Sequence, residues 1–176
     1  MGSGYIVQRG GGKDYSAFKA LADKSITEVT AEMLDGITSI GVWAFASCTS
    51  LTSITIPSSV TTIGEMAFDS CTSLSSVTIP SGVTSIEDWA FSNCSALTSI
   101  DIPDGVTSIG EMVFESCTSL SSVTVEATTP PTLGSDAFYG TYAYLVIYVP
   151  AGSVDTYKAA NNWSTYASRI QAIPST

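Results

Sequence analysis

Three kinds of side chain recur 23 residues apart in this 176-residue chain, close enough in phase to act together. They are carboxylates at Glu65, Asp88 and Glu111, thiols at Cys48, Cys71, Cys94 and Cys117, and large apolar groups at Trp43, Met66, Trp89 and Met112. Carboxylates held about 5 Å apart would suit the acid and nucleophile of a retaining glycosidase. That pair also needs a pocket around a sugar, and a column on the outside of a coil has none. A solvated face is the expectation for it. The thiols do not have the C-x-x-C spacing of a zinc site, and the chain has no histidine to complete a mixed one. Parallel stacking would bring their Cα atoms within disulfide range but hold the Cβ atoms about 5 Å apart, beyond the roughly 3.5–4.5 Å that a bridge needs. A buried ladder of thiols, with no disulfide and no metal, is therefore expected. Without histidine the Ser-His and Cys-His nucleophile systems are missing too, and Gly10-Gly11-Gly12 lacks the spacing of a phosphate loop. No enzyme activity and no cofactor are expected.

What sets the spacing is a repeat. Leu51 to Ser73 returns almost unchanged at Leu74 to Ala96 and at Leu97 to Ser119. A period in the twenties marks a solenoid, in which each turn buries its apolar face against its neighbours. Leu51, Ile54 and Ile56, with their counterparts in the other turns, give the alternation of a strand. Pro57, Pro80 and Pro103 can end that strand. Val60, Ile63, Ala67 and Phe68 and their counterparts form the far wall, so Leu should stack on Leu and Phe on Phe. Glycine recurs at Gly41, Gly64, Gly110 and Gly134, but Glu87 fills the third copy. Either that position does not demand positive φ, or the third turn is locally strained.

In chain order, Met1-Gly-Ser-Gly4 reads as an added leader, and the lack of a signal peptide behind it locates nothing. A helix from Asp14 or Ser16 to about Asp23 is expected to cap the start, making residues 1–25 a lead-in and cap. The solenoid should run over residues 26–150. Its first turn carries a two-residue insertion after Ala31, and its last full turn one extra residue before Leu133. Tyr144, in the leucine column, opens a last strand in register, Tyr144-x-x-Ile147-x-Val149. Residues 151–176 should form a helical cap of two short helices, Ser153 to about Ala160 and Ser164 to about Ile170. Tyr157, Trp163 and Tyr166 would then cover the open edge of the last strand.

Two surfaces remain for binding. The outward face of the strands carries Ser53, Thr55, Ser76, Thr78, Ser99, Asp101, Ser122 and Thr124, small hydroxyls with one acid. It could meet a protein or a glycan by hydrogen bonds, or it could reflect only β-propensity and solubility. The Trp43, Met66, Trp89 and Met112 column is either a half-buried cover over the phenylalanines or an exposed apolar ridge, and a ridge of that kind marks contact sites.

Composition narrows the partner. Net charge is −10, and all the basic residues, Arg9, Lys13, Lys19, Lys24, Lys158 and Arg169, lie near the two ends, with none from Ser25 to Tyr157. Such a body repels nucleic acid and anionic membranes. An apolar run of 18 or more residues is absent, so no membrane insertion is expected.

The pattern L-x-x-[IV]-x-[IV]-P-x-x-V-x-x-I-G-x-x-A-F-x-x-C-x-x, with the closing segment Tyr148 to Ala160 and Trp163, resembles the BspA-like leucine-rich repeats of bacterial surface proteins over roughly residues 26–173. The resemblance implies a mainly β repeat solenoid, a right-handed coil of 23-residue turns with a parallel sheet and short helical caps. It also implies an extracellular or cell-surface adhesion and protein-binding module, with no catalytic residues. A structural spacer or engineered scaffold with no ligand of its own is the alternative. Neither the ligand nor the oligomeric state is set by the sequence.

Overall fold

The computed structural model describes residues 25–175; the expected N-terminal helix at Asp14 to Asp23 lies outside them. Each turn of the coil has three sides. On the first side lie β1 (Glu28–Val29), β3 (Ser53–Thr55), β5 (Ser76–Thr78), β7 (Ser99–Ile102), β9 (Ser122–Val125) and β11 (Val146–Val149). Their pairing is parallel and follows the repeat, with Ile54 beside Val77, Ile100 beside Val123 and Val123 beside Ile147. They form one sheet of β1, β3 and β5 and a second that starts at β7.

The second side, part of the far wall expected from the sequence, is itself a sheet. Here β2 (Ser39–Ile40), β4 (Thr62–Ile63), β6 (Ser85–Ile86), β8 (Ser108–Ile109) and β10 (Thr132–Leu133) run parallel, five strands in all. Two-residue strands carry almost no periodic signal of their own. They exist because each turn sets the same two residues beside those of its neighbours.

The third side is held by a one-way ladder. The N–H groups of Trp43, Phe45 and Ser47 donate to the carbonyls of Glu65, Ala67 and Asp69 in the following turn. The pattern repeats down to Met112, Phe114 and Ser116, which reach Ser135, Ala137 and Tyr139, all within 2.7–3.0 Å. To aim every second N–H along the axis, the backbone takes positive φ at Trp43, Met66, Trp89, Met112 and Asp136, and again at Ser47, Ser70, Asn93, Ser116 and Gly140.

Between the three sides lies one continuous core. Phe45, Phe68, Phe91, Phe114 and Phe138 stack with ring centroids 5.1–5.7 Å apart and planes within 8° of parallel. Leu51, Leu74, Leu97 and Leu120 are buried in a parallel column. The insertion in the first turn is a short 3-10 helix, Ala31–Leu34, which drives Leu34 into the core.

Two details of the last turn differ from expectation. The strand register is the expected one, but Leu145, not Tyr144, enters the core, and Tyr144 is 78% exposed. Leucine fills the aliphatic column without a phenol to satisfy, while tyrosine keeps its hydroxyl in water. Beyond Pro150, a 3-10 turn (Ala151–Ser153), helix α1 (Val154–Ala159) and a 3-10 segment (Trp163–Arg169) lead into a strand that was not anticipated, β12 (Ile170–Ala172). It pairs parallel to β11, so a strand and not the aromatic side chains covers that edge. The aromatics close the end of the core. Tyr166 meets Phe138 edge-on at 5.2 Å, and Trp163 and Tyr157 pack beside it. The Tyr157 hydroxyl and the Trp163 indole N–H donate to the carbonyls of Ala127 and Pro131.

Candidate binding surface

Alternation along each strand of the first side sends one residue in and the next out. Ile54, Val77, Ile100 and Val123 are buried, and the outward positions are the expected hydroxyl face. Thr55, Ser76, Thr78, Ser99 and Asp101 are exposed, and Ser53, Ser122 and Thr124 are half-buried. Pairing joins Ser53 to Ser76 and Thr55 to Thr78 in one sheet, and Ser99 to Ser122 and Asp101 to Thr124 in the other.

This face changes character at its C-terminal end. In β11 the outward positions in line with Ser122 and Thr124 are Val146 and Tyr148, and Tyr144 precedes them on the same side. Tyr142 meets the Tyr144 ring edge-on, centroids 5.6 Å apart. On the far side of Tyr148, β12 places Gln171 in register. Sequence reasoning missed these residues because it assigned Tyr144 to the core column and stopped the face at Thr124. Tyr144, Val146 and Tyr148, at alternate positions of the last strand, were the available signal.

The Trp43, Met66, Trp89 and Met112 column is exposed at one end and sheltered along the rest. Trp43 is 54% exposed beside the exposed Val42, while Met66, Trp89 and Met112 are half-buried. The indole N–H of Trp43 donates to the Met66 sulfur, and that of Trp89 to the Met112 sulfur. The side chains thus cover one another in pairs.

Glu65, Asp88 and Glu111 line up as expected, but one of them is a brace. The Asp88 Oδ1 accepts the backbone N–H of Glu111 at 2.7 Å, tying one turn to the next. Around it lies an open depression of about 370 Å³ lined by Glu87, Asp88, Gly110, Glu111, Gly134 and Ser135 among others. Among the described residues, no group of three or more acidic, thiol or imidazole side chains is placed to hold a metal ion.

The repeat pattern matches the model of the BspA type leucine rich repeat region in six copies over residues 15–150. The chain belongs to the BspA-type leucine-rich repeat family. Similar solved structures include the leucine rich repeat protein of T. pallidum, 35% identical with a TM-score of 0.66 over 73% of this chain. A leucine rich cell surface protein of Faecalibacterium prausnitzii is 28% identical, TM-score 0.67, over 78% of the chain. A leucine-rich repeat protein of Bacteroides ovatus is 25% identical, TM-score 0.58, over 85%. The chain spans 61%, 35% and 40% of those proteins. Among curated proteins none matches the sequence.

The cysteine column of the BspA-type repeat is a buried ladder of thiols with no disulfide. The thiols of Cys71, Cys94 and Cys117 donate to the carbonyls of Phe45, Phe68 and Phe91 in the preceding turn, at 3.1–3.3 Å. Burial pushes Cys71 and Cys117 up to about 12 and raises Cys94 as well, so all three stay protonated at neutral pH. The glycine column is explained by close approach. Positive φ occurs neither at Gly64, Gly110 and Gly134 nor at Glu87, so the position makes no such demand. A side chain at Gly134 would run into the backbone of Gly110 and Glu111 beneath it. No helix among the described residues is long and apolar enough to cross a membrane.

Proposed function

We propose that this BspA-type solenoid is a non-catalytic binding module of a surface-displayed protein, meeting a protein or glycan through the outward face of its first-side strands. The observation that carries the reading is that face itself, a row of small hydroxyls from Ser53 to Thr124 ending at the half-buried Tyr148 of β11 and the exposed Tyr144 just before that strand. Short hydroxyl side chains lose little conformational entropy on contact. With the carboxylates of Glu28 and Asp101 as the charged groups of its strands, the face is weakly acidic and does not depend on charge to meet a partner. Similarity to the F. prausnitzii protein, described as a leucine rich cell surface protein, supports display outside the cell. The acidic solenoid body opposes nucleic acid and anionic membranes as partners.

The near-identity of the three turns from Leu51 to Ser119 favours a second reading, a spacer without a ligand. Labelled protein applied to cells, extracellular-matrix proteins and immobilised glycans separates the two. A Thr78→Lys/Ser99→Lys double variant should lose binding that Thr84→Lys, on the second side, retains. Equal loss in both variants would remove the strand face from the reading. Binding to no target would leave the spacer.

A further inference from the structure

The row of outward residues crossing β7, β9, β11 and β12 reads Asp101, Thr124, Tyr148, Gln171, in register. We infer that this row, with the exposed Tyr144 and Tyr142 just ahead of β11, is a subsite for a neutral hexopyranose chain lying along the solenoid axis. The inference rests on the strand face being a binding surface and names what binds there.

The chemistry of the row is that of polyol recognition. A pyranose offers an apolar C–H face and a rim of hydroxyls that both donate and accept. The partly exposed Tyr148 and the exposed Tyr144 supply aromatic surface for the first, because an aromatic side chain gives a large contact area with a polar tip. For the rim, Asp101 brings a carboxylate that accepts two hydroxyl donors, Thr124 a hydroxyl that does either, and Gln171 an amide that does both. Strand spacing of about 4.8 Å puts Thr124 one step and Asp101 two steps from Tyr148, about the reach of a disaccharide. Earlier turns do not offer this arrangement. Where β11 has Tyr148, β3 has Thr55 and β5 has Thr78, so the subsite is confined to the C-terminal end of the face.

Charge selects a neutral glycan over a sialylated, sulfated or phosphorylated one. From Ser25 to Tyr157 the chain has no lysine or arginine, and the row's single formal charge is the Asp101 carboxylate. Of the cap's two cations, Arg169 already donates to the Thr141 hydroxyl at 3.2 Å. Shape argues against a protein as the occupant. Protein contacts of standard size bury about 800 Å² per partner around anchor residues seated in pockets, whereas the face here is a run of small side chains and the depression around Asp88 and Glu111 lies away from it.

The test is binding of the 176-residue protein to an array of neutral gluco-, galacto-, manno- and N-acetylhexosamine oligosaccharides together with sialylated and sulfated ones, followed by titration calorimetry on the best neutral binder. Tyr148→Thr restores the residue that earlier turns carry, and Tyr144→Ala changes an exposed side chain, so both should fold as the parent does, checked by circular dichroism. Each should weaken binding about tenfold or more, the loss expected of an aromatic anchor, and Asp101→Asn should weaken it several-fold. Unchanged affinity in both tyrosine variants, or preference for the anionic glycans, overturns the inference. Binding to cells that is abolished by protease but survives periodate oxidation of the cell-surface sugars also overturns it, yet leaves the wider binding reading standing. Binding to nothing on either kind of target defeats both.

Discussion

Trp43 points its indole N–H at the sulfur of Met66, 2.8 Å away, and Trp89 repeats the contact with Met112 one pair of turns further on, at 3.2 Å. Thioether sulfur is a weak acceptor but a polarizable neighbour for an aromatic ring. Both tryptophans sit at positive φ, where the one-way ladder holds the backbone. The pairing is the same, but the surroundings are not. Trp43 is 54% exposed, Trp89 is half-buried, and Trp163 in the cap is 1% exposed. In variants keeping one tryptophan each, acrylamide should quench Trp43 most, Trp89 less and Trp163 least. Equal quenching of Trp43 and Trp163 would contradict the described surface.

The thiol ladder makes stability depend on pH above the ordinary range. Cys71 and Cys117 are lifted from 9.0 to about 12 because burial disfavours the thiolate. The unfolded chain loses these protons near 9.0 and the folded one only near 12, so above about 9 the unfolded state binds fewer protons and is favoured as pH rises. The urea midpoint should hold steady up to about pH 9 and then fall toward pH 12, with a shallower fall in a Cys71→Val/Cys117→Val variant. An aromatic disulfide reagent at pH 8 should find no reactive thiol until denaturant is added. Rapid labelling of Cys71, Cys94 or Cys117 in the native protein would contradict their burial.

Steric demand at the glycine column can be read by a methyl scan. Alanine at Gly134 would press its Cβ into the backbone of Gly110 and Glu111, and at Gly64 into the Ile40 carbonyl at 2.8 Å. Each substitution should cost about 1–3 kcal/mol, as overpacking does. Gly152→Ala, with nothing within 4 Å of its added carbon, is the control and should leave the melting temperature unchanged. A melting temperature for Gly134→Ala equal to that of the control would rule out the close approach.

Closure of the C-terminal end rests on phenol hydroxyls. The Tyr157 hydroxyl donates to the Ala127 carbonyl at 2.7 Å, and the Tyr166 hydroxyl accepts the Phe138 N–H at 3.3 Å. Tyr157→Phe and Tyr166→Phe should each lower unfolding free energy by about 1 kcal/mol, measured by urea titration. The two losses should not simply add, because Trp163 packs against both Tyr157 and Phe138. An unchanged midpoint in both variants would mean the hydroxyls contribute nothing to closure.

Much of this architecture was legible in the residues because the repeat fixes phase. Once Leu51, Ile54, Phe68 and Cys71 recur at 23, their burial and stacking follow from one coil, and so does the thiol ladder. Legibility ends where phase slips or where pairing alone makes the structure. Tyr144 and Leu145 are adjacent residues ahead of a strand in register, and only packing decides which enters. The two-residue strands around Ile63 and the strand Ile170–Ala172 have no pattern of their own and exist through their neighbours. The positive-φ columns left a faint trace in Asn93, Asp136 and Gly140, residue types that tolerate that conformation. The tyrosine end of the strand face was hidden by the same misassignment of Tyr144.

Because every rung on the third side is given by one turn and taken by the next, the solenoid has a chemical direction. Cut between any two turns, that side would present bare amide donors on the N-terminal piece and bare carbonyl acceptors on the C-terminal piece. The Tyr166 oxygen accepts the Phe138 N–H at the end of the coil that gives these hydrogen bonds. At the opposite end the same phenol would have to turn its O–H and donate to a carbonyl, as Tyr157 does to Ala127. Lengthening such an array means inserting turns between the existing ends, and shortening it means removing them from within.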